Sequence, residues 1–391
     1  MDKGSRRIKS YVLTLLMLSV FLLKPSYNLM AANRKLVTHK EINPEILFKE
    51  EGEETYKPLT KQSVLSGKVD FIVRLPNGHK GYEYIDYKIN GFYHAPAKGP
   101  EYKTTIDTTK LPNSWNQLVA IGYNLQLEGA KQVLFKVNNE KEKVIRPKRV
   151  EGYPIWKKPI YKRNYIPVLM YHDFQENITK EQESAVVHPK LFEEQIKTLL
   201  KNGYIPVDFY DLLLYKQGKG GLPNKPFIIT ADDGYLSNYT TAYPILKKYN
   251  VPATFFVSTR YVGVNLYSPH FTWEQAKEME ESGLIDIQSH SHSHIPLNYL
   301  PDEEVRYEAS TSFGIIEQNL GKRDVRVLAY PEFRHSNKTK EIVKEEGAQL
   351  QVTKLARPIE ARTEYMNIQR IHVANFTSPQ KLLKEIEKLT R

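Results

Sequence analysis

From about residue 64 the chain alternates apolar and polar positions with a period of two. The run VDFIVRL (69–75) leads into Pro76-Asn77-Gly78, a turn signal. Residues 84–89 alternate again and stop at Asn90-Gly91, and 102–106, 117–123 and 132–137 complete a set of short strands. Successive strand side chains face opposite ways, so this alternation marks sheets with one buried face. Turn residues divide the runs at regular intervals, which predicts a small β-sandwich over 61–146. Its tyrosines and Trp115 read first as core and cross-strand pairs, and second as a sugar-binding face.

After 165 the period changes. The stretch 191–202 sets Phe192, Ile196, Leu199 and Leu200 on one helical face. Strand-like runs near 167–171, 205–207, 227–231, 254–257, 286–289, 325–330, 349–353 and 367–373 follow one another in order. Helical patterns near 208–217, 242–249, 273–282, 302–320, 338–346 and 379–389 fill the gaps between them. Repeated strand–helix order implies a parallel sheet, and about eight strands predict an α/β fold of (β/α) barrel type, distorted or incomplete. Catalytic groups in such a barrel lie at the C-terminal strand ends.

The remaining segments are short. Lys3, Arg6, Arg7 and Lys9 precede the uncharged run YVLTLLMLSVFLL (11–23), too short to span a bilayer comfortably but suited to a signal peptide. Residues 1–32 are therefore expected to be an export signal, or an N-terminal anchor if uncleaved. Either way the mature chain faces the outside, as a secreted, wall-associated or membrane-anchored protein. Residues 33–60 read as a polar spacer. Residues 147–164, with Pro147, Pro154 and Pro159 among many basic residues, read as a semi-rigid linker. The last unit is 165–391.

Charge and composition narrow the partners. The 391 residues carry a formal net charge of +11. This suits an anionic wall or membrane surface, because no zinc-finger spacing or nucleic-acid-binding signature accompanies it. No nucleic-acid partner is expected, and the chain is expected to be a monomer. Cysteine is absent, which excludes disulfides, thiolate metal sites and a cysteine nucleophile. Any metal site must draw on His, Asp or Glu.

Two interruptions of the apolar pattern carry chemistry. The strand-like KPFIITADDG (225–234) ends in adjacent carboxylates, Asp232 and Asp233, and Gly234 lets the chain turn at once. A calcium loop or a helix-capping pair is the bland alternative. The run SHSHSH (289–294) places His290 and His294 four apart, a spacing that lets two imidazoles share one metal, while His292 points elsewhere. Asp233, His290 and His294 would supply one carboxylate and two imidazoles. That donor set favours Zn²⁺, with Co²⁺, Ni²⁺ or Fe²⁺ as the alternatives.

These residues resemble the motifs of the polysaccharide deacetylases, the NodB homology group of carbohydrate esterase family 4. TADDG (230–234) is similar to that family's TFDDG, HSHSH (290–294) to H-[ST]-x-x-H, and AYPEF (329–333) to its third motif. VLMYHDF (168–174) resembles the opening strand of the branch acting on poly-N-acetylglucosamine. The stretch TTKLPNSWNQLVAIGYN (108–124) resembles immunoglobulin- or fibronectin-like modules of bacterial surface enzymes. The first resemblance covers 165–391 and implies roles. Asp233, His290 and His294 hold the metal, Asp232 is the general base, and His172 is the general acid, with His372 the alternative. Arg370 orients or ionises Asp232, or forms only a structural ion pair with it. The oxyanion and substrate side falls to Tyr235, Tyr330 and Pro331, with a backbone N–H of Tyr235 or Tyr330 as donor.

The third motif departs from the family pattern: it lacks the customary Arg and has Glu332, Phe333 and Arg334 where Tyr and Gly are expected. Two functions follow. The first is metal-dependent removal of N-acetyl groups from N-acetylglucosamine-type residues in a wall or extracellular polysaccharide, whether peptidoglycan or poly-N-acetylglucosamine. The second is a catalytically impaired, glycan-binding surface protein that keeps the fold.

Overall fold

The computed structural model describes residues 44–76, 81–123, 128–139, 166–265, 268–354 and 367–390. The expected export signal (1–32), the turn at 77–78 and the linker (147–164) lie outside them. No helix among the described residues is long and apolar enough to cross a membrane.

Two sheets build the N-terminal module. One has the order Lys57–Pro58, Glu45–Glu50, Lys68–Arg74, Thr104–Asp107. The other runs Val64–Leu65, Glu128–Val137, Trp115–Tyr123, Tyr84–Ile89, Phe92–Lys98. Period-two burial in Lys68–Arg74 and Tyr84–Ile89 sends Val69, Phe71, Ile85 and Tyr87 into one core, which Leu118 and Phe135 share. The expected spacer needs correction here. Glu45–Glu50 is a strand paired along its length with Lys68–Arg74, and it buries Ile46, Leu47 and Phe48. Those three successive apolar residues break the alternation, and the acidic run after them masks the strand.

The second module is a parallel barrel. Its strands are β1 Val168–Tyr171, β2 Ile205–Pro206, β3 Pro226–Ala231, β4 Ala253–Val257, β5 Ile285–Ser289, β6 Val327–Ala329, β7 Leu350–Lys354 and β8 Ile368–His372. Seven of them close a ring in the order β1-β8-β7-β6-β5-β4-β3, because β3 pairs directly with β1. The short β2 pairs only with the first residues of β3, outside the ring. It ends early because Asp208 caps the next helix, accepting from Asp211 N at 2.7 Å in a capping box. The expected distortion thus has a definite form, a seven-stranded barrel with a vestigial eighth strand.

The wall strands are buried from end to end, which explains their near-continuous apolar sequence. Residues 227, 229, 231, 253, 255 and 257 pack outward with Phe192 and Ile196 of helix Pro189–Lys201, Leu246 and Met279. The opposite parity points into the barrel. Arg370 of β8 touches Thr230 of β3, the Thr353 carbonyl of β7 and the ring of Phe256 of β4, so its side chain lies inside the ring.

Candidate active site

Asp232 continues the inward parity of Ile228 and Thr230 and is completely buried. Its N–H donates to the Tyr171 carbonyl at 3.0 Å, fixing the strand end. Asp233 would face outward on a regular strand. Instead it adopts φ 73°, followed by Gly234 at 78°, and this double left-handed turn swings its carboxylate back over the barrel mouth. Gly234 has a second reason to be glycine, since a Cβ there would lie 3.0 Å from Val257 Cγ1.

The histidine loop extends from β5. His290 Nδ1 lies 2.8 Å from the Ala329 carbonyl, an acceptor only, so Nδ1 carries the proton and the Nε2 lone pair faces the mouth. There, His290 Nε2 and His294 Nε2 stand 3.5 and 3.1 Å from Asp233 Oδ1. One donor atom from each of the three residues falls within 4.8 Å of the others. Asp233 Oδ1 is buried, yet it accepts no hydrogen bond despite those short distances. A buried carboxylate oxygen aimed between two imidazole nitrogens, without a bond to either, suits a shared divalent cation. The carbonyl behind His290 is the outer partner that a ligating imidazole requires. The residues present therefore fit a metal.

Protonation follows from the surroundings. Burial pushes the His290 imidazolium down, to about 4, so this ring is neutral at pH 7. Burial also opposes charge on His294, but the adjoining Asp233 carboxylate outweighs it and raises the imidazole. Burial would raise Asp233 too; His294 first, then His172 and His290, drive it far below the usual carboxylate range.

Arg370 grips Asp232 from below, with Nη1 2.6 Å from Oδ1 and Nη2 2.7 Å from Oδ2. Burial raises the Asp232 carboxyl, and the guanidinium more than offsets that, so it stays below its ordinary range and ionised. His172, one residue beyond β1, is partly exposed, and its buried Nδ1 has no hydrogen-bond partner. Its ring stands at 89° to that of His372, centroids 5.9 Å apart.

His372 is held low, to about 4, by burial and then by the Lys354 ammonium, so it is a neutral imidazole at pH 7. This shift has a stability consequence. Between pH 6.5 and about 4 the unfolded chain binds a proton at this position that the folded chain refuses. The contribution of His372 is thus intact above about pH 6.5 and lost as the pH falls towards 4. Urea titrations of the metal-free protein should show this loss, and His372→Gln should flatten it. An identical pH profile in the variant would refute the assignment.

The expected oxyanion side divides. Tyr330 N–H donates to the Val352 carbonyl at 3.2 Å, so the barrel ladder consumes it. The side chain of Tyr330 is buried and bonded to Gln351, which makes it a core residue, and Pro331 beside it is also buried. Tyr235 forms a bridge with His270 whose bonds run through Leu236 N and Phe271 N. In such a pair the N–H of Tyr235 points away from its neighbour, and it stays the donor candidate. In the third motif, Glu332 and Phe333 both take left-handed backbone, at φ 50° and 60°. Phe333 is half-buried beneath the Lys354 ammonium, and Arg334 lies over the exposed ring of Tyr299.

Residues 219–350 match the family model described as polysaccharide deacetylase. The Bacillus subtilis (strain 168) protein YxkH, whose name places it among polysaccharide deacetylases, is 33% identical over 214 residues, 55% of this chain and 73% of that protein. The chain belongs to the polysaccharide deacetylase family. It is accordingly an enzyme that deacetylates polysaccharide. A poly-beta-1,6-N-acetyl-D-glucosamine N-deacetylase of Staphylococcus aureus (strain MSSA476) is 34% identical over 149 residues, 35% of this chain. The matched stretch spans about half of that relative, 51% of its length. Among solved structures, the Streptococcus pyogenes deacetylase PplD in complex with acetate superposes with a TM-score of 0.53 at 26% identity, covering 57% of this chain and 99% of PplD.

Sequence reasoning missed several supports of this deacetylase's histidine loop. Glu308, buried in helix Asp302–Leu320, accepts from the N–H groups of His292 and Ser293 at 2.9 and 2.8 Å and from the Ser293 hydroxyl. Ser258 Oγ donates to the His290 carbonyl at 2.9 Å. One signal was available: a glutamate among the apolar positions of a long helix needs a buried partner.

Proposed function

We propose that this deacetylase removes N-acetyl groups from an N-acetylglucosamine polymer of the poly-β-1,6 type, using one divalent cation held by Asp233, His290 and His294. The observation that carries the reading is the convergence of those three donor atoms on the unbonded Asp233 Oδ1. The staphylococcal relative supports the substrate class. A donor set of one carboxylate and two imidazoles favours zinc.

A cation held by Asp233, His290 and His294 would supply Lewis acidity, lowering the pKa of a water molecule and polarising the acetyl carbonyl. The chain's own groups do the rest. Asp232, kept ionised by Arg370, takes the proton from the attacking water. The Tyr235 N–H stabilises the oxyanion. His172, at the end of β1 beside β3, delivers a proton to the departing amine.

Acetate release from β-1,6-linked N-acetylglucosamine oligomers tests the proposal. We expect turnover that a chelator abolishes and added zinc or cobalt restores. Turnover indifferent to chelation would remove the cation from the mechanism. Tight oligomer binding without acetate release would favour the glycan-binding alternative.

A further inference from the structure

The middle histidine of the loop faces away from the proposed cation. His292 is buried, and its Nε2 lies 3.0 Å from the backbone carbonyl of Asn90, in the N-terminal module. A carbonyl only accepts, so Nε2 carries the proton; Nδ1 then accepts from the Thr259 hydroxyl at 2.8 Å. Both ring nitrogens are thereby used for holding. The rings of Phe92 and Tyr307 stand steeply tilted to the imidazole, with centroids 6.5 and 5.6 Å from its own.

Asn90 and Gly91 form the turn between two strands, at φ 50° and 80°. Asn90 is buried and its amide is locked, with Nδ2 donating to Asn116 Oδ1 and Oδ1 accepting from Gln117 N, both at 2.8 Å. The turn therefore presents its carbonyl from a rigid sheet end. Gly91 lies against Arg260, and a Cβ there would sit 3.1 Å from the guanidinium carbon. The Arg260 N–H in turn donates to the His292 carbonyl at 2.9 Å.

A second path runs through the helix that carries Glu308. Thr311 Oγ1 donates to the Trp115 carbonyl at 2.6 Å, and Gly314 packs so closely that a Cβ would lie 2.6 Å from Pro112 Cβ. The module thus bears on the loop directly and also on the helix that clamps it.

The loop needs such holding. Ser291 and His294 sit at φ 64° and 59°, a region costly for residues other than glycine. Left alone, they would relax to other conformations and the two ligand imidazoles would separate.

We propose that the N-terminal two-sheet module is a positioning element of the metal site, with Asn90 and His292 holding the loop on which His290 and His294 converge. This rests on reading Asp233, His290 and His294 as a cation site. The full chain, metal-stripped and titrated with cobalt, provides the test through affinity and the cobalt absorption spectrum, with thermal unfolding measured in parallel. His292→Leu should weaken cobalt binding about 10- to 100-fold and alter the spectrum, as loss of an outer partner does. His292→Gln, which keeps an N–H for the Asn90 carbonyl, should restore most of the affinity. Gly91→Ala alters the contact from the module's residue, by straining the turn and crowding Arg260, and should weaken binding several-fold; it decides the matter if His292→Leu does not fold. Wild-type affinity and spectrum in His292→Leu and Gly91→Ala, even with lower melting temperatures, would make the contact mere adhesion and overturn the proposal. Equal cobalt binding by wild type and Asp233→Ala would instead remove the cation site itself, and the proposal with it.

Discussion

Asp232→Asn should lower kcat for acetate release by about 10²–10⁴-fold, the span typical of a lost general base, while cobalt still binds with near wild-type affinity. The geometry separates the two carboxylates. Asp233 Oδ1 lies among the ligand imidazoles, whereas Asp232 Oδ2 is 4.0 Å from His290 Nε2 and is committed to Arg370. Amidation of Asp232 removes the proton acceptor and leaves the donor set of Asp233, His290 and His294 whole. His172→Ala should cost a similar factor, because the leaving amine then lacks its proton. His372→Ala should cost far less. Unchanged turnover in Asp232→Asn would remove the proposed base, and a loss of turnover in His372→Ala but not in His172→Ala would exchange the two histidines.

Arg370→Met should destabilise the protein by about 3–5 kcal/mol, the usual consequence of breaking a buried ion pair by removing one partner. Neither side chain has water to fall back on: Arg370 and Asp232 are 0% and 1% exposed. Without the guanidinium, burial would push the Asp232 carboxyl up and reduce its ionised fraction. Activity should therefore fall together with stability and recover partly at higher pH. The double substitution Asp232→Asn/Arg370→Met leaves no buried charge from the pair and should be more stable than Arg370→Met alone. Chemical denaturation of the three variants checks this. If the double variant is no more stable than Arg370→Met, the cost lies in packing around Phe256 and not in charge.

Much of the fold was legible because many of its elements have clean periods. Helices Asp302–Leu320 and Pro379–Leu389 fall where the 3.6-residue pattern places them, and strand Tyr84–Ile89 where alternation does. Glu45–Glu50 was not legible, since a strand with three successive buried residues has no alternation to detect. Nor could a count of strand-like runs reveal that 205–206 stays outside the ring. That depends on β1 reaching β3 first, a non-local pairing.

At the site, residue types alone marked Asp232, Asp233, His290 and His294, and the family resemblance tied Arg370 to Asp232. They could not show that the Tyr330 N–H is spent on Val352, because backbone donors look alike until the ladder forms.

The sequence by itself determined the chemistry on offer: a cysteine-free donor set at strand ends, in an order that resembles the deacetylase motifs. Only the tertiary structure decided how those groups are aimed. Left-handed backbone at Asp233, Ser291 and His294 turns side chains that a regular chain would send apart. Such conformations are costly locally and persist because distant residues hold them, and no local pattern encodes which distant residues those are.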